Sequence, residues 1–350
     1  MADFLIYGAN GYTGELIARE AVRRGQRPVL SGRNAAAVDK LATELGLVAR
    51  PVALDEPKLL DDILEGMAAV LHCAGPFAHT YRPMVDACLR TRTHYLDITG
   101  EIAVFEGIAH RAEEARAAGI VLLPGIGFDV VPSDCLAAHL KSRLPTATRL
   151  TLAIQTSGDL SRGTLTTMLE HAGHGGLIRK AGRLERVPAA WKTRVLDLGR
   201  GPVTTMTIPW GDVSTAFYTT GIGNIEVYSA VPASTRLFAR LLPALGWLLR
   251  AGWVQGFLKR RIQSGPRGPG DEQRAQGWTH LWGEVTDDAG GRAISRLSGP
   301  EGYTFTVLTA LAVVERILQG NALPGFHTPA GAFGADLVLE VENVKRQDET

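Results

Sequence analysis

At 350 residues the chain is longer than one hydrophobic core comfortably serves, so two domains are expected. Its 45% apolar and 21% charged residues describe an ordinary globular protein and exclude a disordered or bilayer-embedded one. A formal net charge of +1 offers no basic face of the density that nucleic-acid phosphates require, which sets that class of partner aside.

From the N-terminus, short β-like runs alternate with helical ones: "FLIY", "PVLS", "ARPVAL", "AAVLHC", "HYLDI" and "IVLLPG" read as strands. Between them, residues 12–24, 34–45, 57–65, 82–90 and 104–118 read as helices, with Asn34 as an N-cap. This is the pattern of βαβ units on a six-stranded, doubly wound parallel sheet of Rossmann type over residues 1–130. "VVPSDCLAAHLKSRL" continues as a helix, and the texture then changes. "TRLTLAIQT", "PVTTMTIPW", "VSTAFYTTG" and "NIEVYSAV" read as strands, and "TLTTMLEHAGHGGLIRKAG" and the stretch 234–262 as helices. A hairpin is expected around Asp288–Gly291, a mobile loop over 264–273, and a long final helix ending at Gly320. The expectation is a second, α+β domain over 131–320.

The first strand runs into Gly8, Gly11 and Gly14, each three residues after the last, and the first helix opens among them. Glycine at these positions permits a tight turn, close approach of a pyrophosphate and close helix–strand packing, while the helix start supplies N–H donors. A dinucleotide site is therefore expected on Gly8, Ala9, Asn10, Gly11, Tyr12, Thr13 and Gly14. The second strand ends in "SGRN" without the carboxylate that a ribose diol would engage. Arg33 stands there, nineteen residues past Gly14, able to fork onto a 2′-phosphate, with Ser31 and Asn34 beside it. NADP is expected as the cofactor, in preference to NAD.

Ligands on an open parallel sheet sit beyond the carboxyl ends of its strands. Ala74, Gly75, Pro76 and Phe77 follow the fourth predicted strand and are expected to pass beside the dinucleotide. Asp97, Thr99, Glu101, Asp129, Ser133 and Asp134 gather hydrogen-bonding groups on the same rim, where loop bracing and helix capping are the competing roles. Tyr81, His79, Asp97 and Asp129 are the candidates for a proton donor, and none is singled out.

Every tryptophan (Trp191, Trp210, Trp247, Trp253, Trp278 and Trp282) falls after residue 150, as do the longest apolar helices. A large apolar cleft in the second domain follows as an expectation, set against plain core packing. Residues 237–258 are apolar over nearly a bilayer's width, but Arg240, Pro243, Gly246 and Arg250 interrupt them. They read as amphipathic helices, with peripheral membrane contact as the lesser alternative. His171 and His174 lack companion ligands, so no metal is expected, and Ser133 lacks the GxSxG elbow of a hydrolase. Cys73, Cys88 and Cys135 have no CxxC spacing and read as buried, reduced thiols. With no basic, apolar leader after Met1, a cytoplasmic location is expected.

The segments "GANGYTGEL", "SGRN", "CAGPFAHTYRPMVDACLRTRTHYLDITGE", "GFDVVPSD", "GPEGYTFT" and "TPAGAFG" resemble the saccharopine dehydrogenase-like oxidoreductases, a family that includes bacterial trans-acting enoyl reductases. The resemblance spans residues 7–334. It implies an NAD(P)-dependent reductase with a Rossmann domain and an α/β domain covering the cofactor cleft, with residues 320–350 packing back on the first domain, without implying a saccharopine substrate. The family pattern has glycine where Tyr81 stands, which implies a narrower cleft or an added phenol. Three readings stay open: reduction of a C=C bond conjugated to a carbonyl in a free or carrier-bound acyl, polyketide or other apolar substrate; reduction of a C=N or C=O bond; and a cofactor-binding sensor or membrane-associated scaffold without turnover. A homodimer is compatible with each.

Overall fold

The computed structural model describes residues 4–171, 175–230 and 251–349. They form two compact units, one of residues 1–131 with 303–333, the other of 132–302 with 334–350.

In the first unit β1 (Phe4–Tyr7), α1 (Tyr12–Arg23), β2 (Val29–Ser31), α2 (Ala35–Leu45), α3 (Pro57–Leu64), β3 (Ala69–His72), α4 (Phe77–Thr91), β4 (His94–Asp97), α5 (Ile102–Ala109), α6 (Ala112–Ala118) and β5 (Val121–Leu123) follow in order. Strands β1, β2, β3 and β5 are buried throughout, as a parallel sheet covered on both faces requires. All pairings are parallel, and the sheet is closed at one edge by β14 (Gly325–Phe326) from near the C-terminus, giving the order β14-β5-β4-β3-β1-β2. The topological switch lies between β1 and β3.

This sheet has the expected six strands but a different membership. "ARPVAL" is no strand: it lies along β2, where Leu30 N donates to Val48 O at 2.8 Å and Arg50 N to Leu30 O at 2.9 Å, with one isolated bridge, Leu30 to Ala49. Pro51 has no N–H to extend the ladder. The sixth strand is two residues long, too short to leave a periodic signal. The stretch 104–118 divides into α5 and α6, and α4 starts at Phe77, five residues before the expected helix.

The second unit contains α7 (Val131–Arg143), β6 (Arg149–Thr156), α8 (Arg162–His171), β7 (Gly176–Lys180), β8 (Arg183–Val187), β9 (Thr193–Asp197), β10 (Pro202–Thr207), α9 (Asp212–Thr220), β11 (Asn224–Ala230), β12 (Trp278–Thr286), β13 (Arg292–Pro300) and β15 (Lys345–Glu349). They build a nine-stranded mixed sheet, with β6 and β11 parallel and the remaining pairs antiparallel. Gly283 on β12 lets α7 settle: a Cβ there would lie 2.5 Å from Leu140 and 3.2 Å from Leu136. The β12–β13 hairpin turns where expected, with Gly290 at φ +90 and Asp287 accepting from Ala289 N and Gly291 N.

Three expectations fail here. "VSTAFYTTG", rich in strand formers, is helix α9, whose hydroxyls return to the backbone, as Thr220 Oγ1 does to Ala216 O at 2.5 Å. Helix α8 stops at His171, and Gly176–Lys180 turns through Ala181 and Gly182, both at positive φ, to pair with β8. The segment returning to the first unit is 303–333 rather than 320–350; residues 334–350 contribute β15 to the second sheet. The final helix spans Gly302–Leu318, and Gly320 follows it at φ +74.

Candidate functional site

The chain leaves β1 by a left-handed residue, Gly8, at φ +81. A side chain there would collide with the loop after β3, since a Cβ would lie 2.8 Å from Ala74 N and 2.9 Å from Ala74 Cβ. Gly14 faces back across the turn, and its Cβ would meet Gly8 O at 2.4 Å and Ala9 Cα at 3.0 Å. Gly11 is the N-cap of α1 in extended conformation, and no side chain caps the helix. The first turn of α1 thus starts beside a cradle made of backbone, the setting in which helix N–H groups can meet an anion. The amides of Gly8 and Ala9 are already spent, donating to Ser31 O at 2.9 and 3.0 Å. Asn10 lies against Gly32, and the Tyr12 ring meets Tyr303 edge-on at 5.0 Å.

At the end of β2 the expected trio divides. Ser31 is buried and its hydroxyl donates to Arg50 O at 2.7 Å, so it braces the edge segment. Asn34 caps α2, accepting from Ala37 N at 3.1 Å. Arg33 is exposed and has no hydrogen bond or ion pair among the described residues. Its guanidinium is available to an incoming anion.

After β3, sequence reasoning passed over His72. It is fully buried, its Nε2 lies 2.9 Å from Thr80 Oγ1, and that hydroxyl donates to Ala74 O at 2.7 Å. Burial lowers its pKa to about 3, so the ring is neutral and the chain of bonds fixes the Ala74–Pro76 loop from below. The available signal was a histidine inside an otherwise apolar strand. Phe77 packs its ring edge-on against His72 at 5.4 Å. Ala74 and Pro76 are half-buried and Gly75 is exposed. Unlike α1, helix α4 starts on a carboxylate: Glu101 accepts from Phe77 N at 2.6 Å and Ala78 N at 3.0 Å.

The rim acids have different fates. Asp97 is fully buried and accepts three bonds, from Tyr95 OH at 2.7 Å, Thr99 N at 2.9 Å and Gly125 N at 2.8 Å. Burial pushes its carboxyl up to about 7 against those donors. Asp129 is half-buried, touches Gly100 so closely that a Cβ there would lie 2.8 Å from Oδ2, and has no hydrogen bond or ion pair among the described residues. Burial pushes it up to about 6. Tyr81 is in the core; its hydroxyl accepts from Arg82 Nε at 2.9 Å and abuts Gly107 of α5, so it adds no phenol at the rim. His79 is exposed in the first turn of α4. Ser133 and Asp134 are bonded within the second unit, to Asp212 Oδ2 at 2.8 Å and from Thr219 Oγ1 at 2.5 Å.

Four of the tryptophans lie in different surroundings. Trp282 is core with Tyr228, Trp278 stacks with His280 and lies under Arg200, and Trp191 and Trp253 are exposed. Trp247, His174 and the side chain of His171 lie outside the described residues, as does most of 237–258. The cysteines form no disulfide; Cys88 and Cys135 are buried, and burial raises the thiols of all three.

Residues 4–123 match the family model of the saccharopine dehydrogenase NADP binding domain. Over this stretch, about a third of its length, the chain is similar to the saccharopine dehydrogenase family. It is 34% identical over 154 residues to a trans-acting enoyl reductase of Mycobacterium leprae, an alignment covering 41% of this chain and 36% of that protein. A probable mitochondrial saccharopine dehydrogenase-like oxidoreductase of Arabidopsis thaliana is 32% identical over 152 residues, covering 38% of this chain and 33% of that one. The alignments thus span only about a third of these relatives' length. Over the whole of both chains the fold is that of saccharopine dehydrogenase (L-Glu forming) from Saccharomyces cerevisiae, with a TM-score of 0.69 at 12% identity.

Two outcomes follow for this unit. Gly14→Ala drives a methyl into Gly8 O, which should cost roughly 1–3 kcal/mol in urea unfolding and collapse NADPH affinity in calorimetry; unchanged affinity would show that the cradle is not the site. Asp97→Ala strands three buried donors and should cost roughly 3 kcal/mol or more, whereas Asp97→Asn, which mimics the protonated acid, should be mild. Because Asp97 is held at about 7 when folded and near 3.9 when unfolded, its stabilising proton is fully bound below the lower value. That contribution is lost as pH rises through the upper one. Asp97→Asn should therefore gain on wild type in thermal melts between pH 4 and pH 8, and a constant difference would contradict the assignment.

Proposed function

We propose that the protein is an NADPH-dependent reductase of a C=C bond conjugated to a carbonyl, carried by an acyl or other largely apolar substrate. The observation that carries the reading is the backbone cradle at the uncapped start of α1, with the unpaired Arg33 at the neighbouring strand end. An acidic residue would suit NAD at that position, and arginine suits the extra phosphate of NADP. The match of residues 4–123 to an NADP binding domain supports the cofactor, and the names of the bacterial relatives support the reaction class.

In this reading the amides of Tyr12, Thr13 and Gly14 hold the pyrophosphate and Arg33, with Asn34, the 2′-phosphate. The Ala74–Phe77 loop flanks the dinucleotide, kept in shape by His72 and Thr80. The cofactor supplies a hydride when bound. A proton must reach the carbon next to the carbonyl, and Asp129 is the rim acid equipped to hold one: it has no protein partner among the described residues and its carboxyl is raised to about 6. Asp97 positions loops and is not asked to donate.

Oxidation of NADPH should be fast with an enoyl thioester and slow with imine and ketone analogues; the reverse order would move the reading to C=N or C=O reduction. Binding without oxidation across the panel would favour a sensor. Arg33→Asp should weaken NADPH by roughly 10- to 100-fold while leaving NADH nearly unchanged. Asp129→Asn should lower kcat roughly a hundredfold or more with NADPH affinity intact. The wild-type rate should fall as pH rises past about 6, where Asp129 loses its proton, and an equal pH profile in the variant would remove Asp129 from the role.

A further inference from the structure

Helix Gly252–Gln263, "GWVQGFLKRRIQ", runs antiparallel to α8 in the second unit. Gln255 Nε2 donates to Leu169 O at 3.1 Å, Lys259 pairs with Glu170 at 2.5 Å, and Arg162 Nε donates to Gly265 O at 3.0 Å. Although it carries Trp253, Val254, Phe257, Leu258 and Ile262, none of its residues is buried. Trp253 is 73% exposed and Phe257, one turn on, 60%. Met168 on the adjoining α8 is 57% exposed, and Leu165 beside it is also exposed. A helix of this length gains little from its own hydrogen bonds and normally depends on burying an apolar face. Here that face has no cover among the described residues.

The charge around it says what fits. Residues 251–270 contain Lys259, Arg260, Arg261 and Arg267 and no acidic residue. With Lys259 paired to Glu170, Arg260, Arg261 and Arg267 still leave this stretch a positive excess within a chain of net charge +1, which would repel a second copy of the same surface. An exposed indole and phenyl on one side of a helix, followed directly by a basic cluster, is the composition of a segment that lies in a bilayer interface. Among the described residues no helix is long and apolar enough to cross a membrane.

We propose that helix Gly252–Gln263, with the exposed edge of α8, seats the protein on an anionic lipid bilayer. The inference is independent of the cofactor reading. The test is co-sedimentation of the full chain with phosphatidylcholine vesicles, with and without phosphatidylglycerol. Binding should require the anionic lipid and weaken as salt is raised. Trp253→Ser with Phe257→Ser should abolish it, and Arg260→Glu with Arg261→Glu should weaken it roughly tenfold or more, while both double variants keep the wild-type circular dichroism and melting temperature. Because the second pair changes only exposed charges, it keeps the test open if the first fails to fold. Equal binding to neutral vesicles, no binding to either, or loss of a concentration-dependent dimer in the Trp253/Phe257 variant by analytical ultracentrifugation would each overturn the proposal.

Discussion

Backbone N–H groups at the start of a helix carry about half a positive charge that some acceptor has to answer. At the carboxyl edge of the parallel sheet, α2 answers it with Asn34 and α4 with the carboxylate of Glu101, reaching over from the loop after β4. Helix α1 has no side-chain answer, and glycine surrounds its first turn so closely that a methyl on Gly8 or Gly14 would meet backbone atoms inside 3 Å. The start of α4 is thus closed by a carboxylate of the protein itself, whereas the start of α1 is bounded by backbone and has no side-chain cap. The rest of the rim is arranged around that difference: Gly8 rests on Ala74, Ala74 is held by Thr80, and Thr80 by His72.

The two rim aspartates show how one residue type acquires separate roles from environment alone. Both are raised by burial, but Asp97 receives three donors and joins the turn after β4 to the turn after β5. Asp129 receives none and is admitted against the chain only because residue 100 is glycine. A carboxyl with satisfied bonds fixes geometry, whereas an unsatisfied one retains both the capacity and the free-energy incentive to hold a proton.

Local signals carried much of this from the amino-acid order. The strand, glycine turn and helix at residues 4–23, the Asn34 cap and the β12–β13 hairpin all rest on interactions within a few residues, and each is where the sequence places it. What was hidden depends on distant partners. Pro51 reduces a strand-like run to a single bridge, the two-residue β14 exists only because β5 offers an edge, and α9 overrides its strand-forming composition through burial of Val213–Ala216. The turn at Ala181–Gly182 lacked the asparagine that usually betrays such a hairpin. Glu101 was legible as a polar rim residue, but its bond to a helix 24 positions earlier was not. Tyr81, conspicuous against the family pattern, proved to be packing against Gly107.

The stretch that matches the NADP binding domain model and the physical unit that would bind the cofactor are different lengths of chain. The match ends at residue 123, at the last residue of β5. Beyond it, Thr306 Oγ1 accepts from Phe128 N at 3.0 Å, Thr309 Oγ1 donates to Ile126 O at 2.9 Å, and Phe305 is fully buried. β14 then supplies the hydrogen bonds that the β5 edge would otherwise leave to water or to another strand. The loop bearing Asp129 is thus held by residues some 180 positions later in the chain. Closing that long loop has an entropic cost that burial of the returning helix must offset. The rim therefore acquires its final shape only once residues 303–333 have returned to the first sheet, so the unit that opens the chain is completed by a segment near its other end.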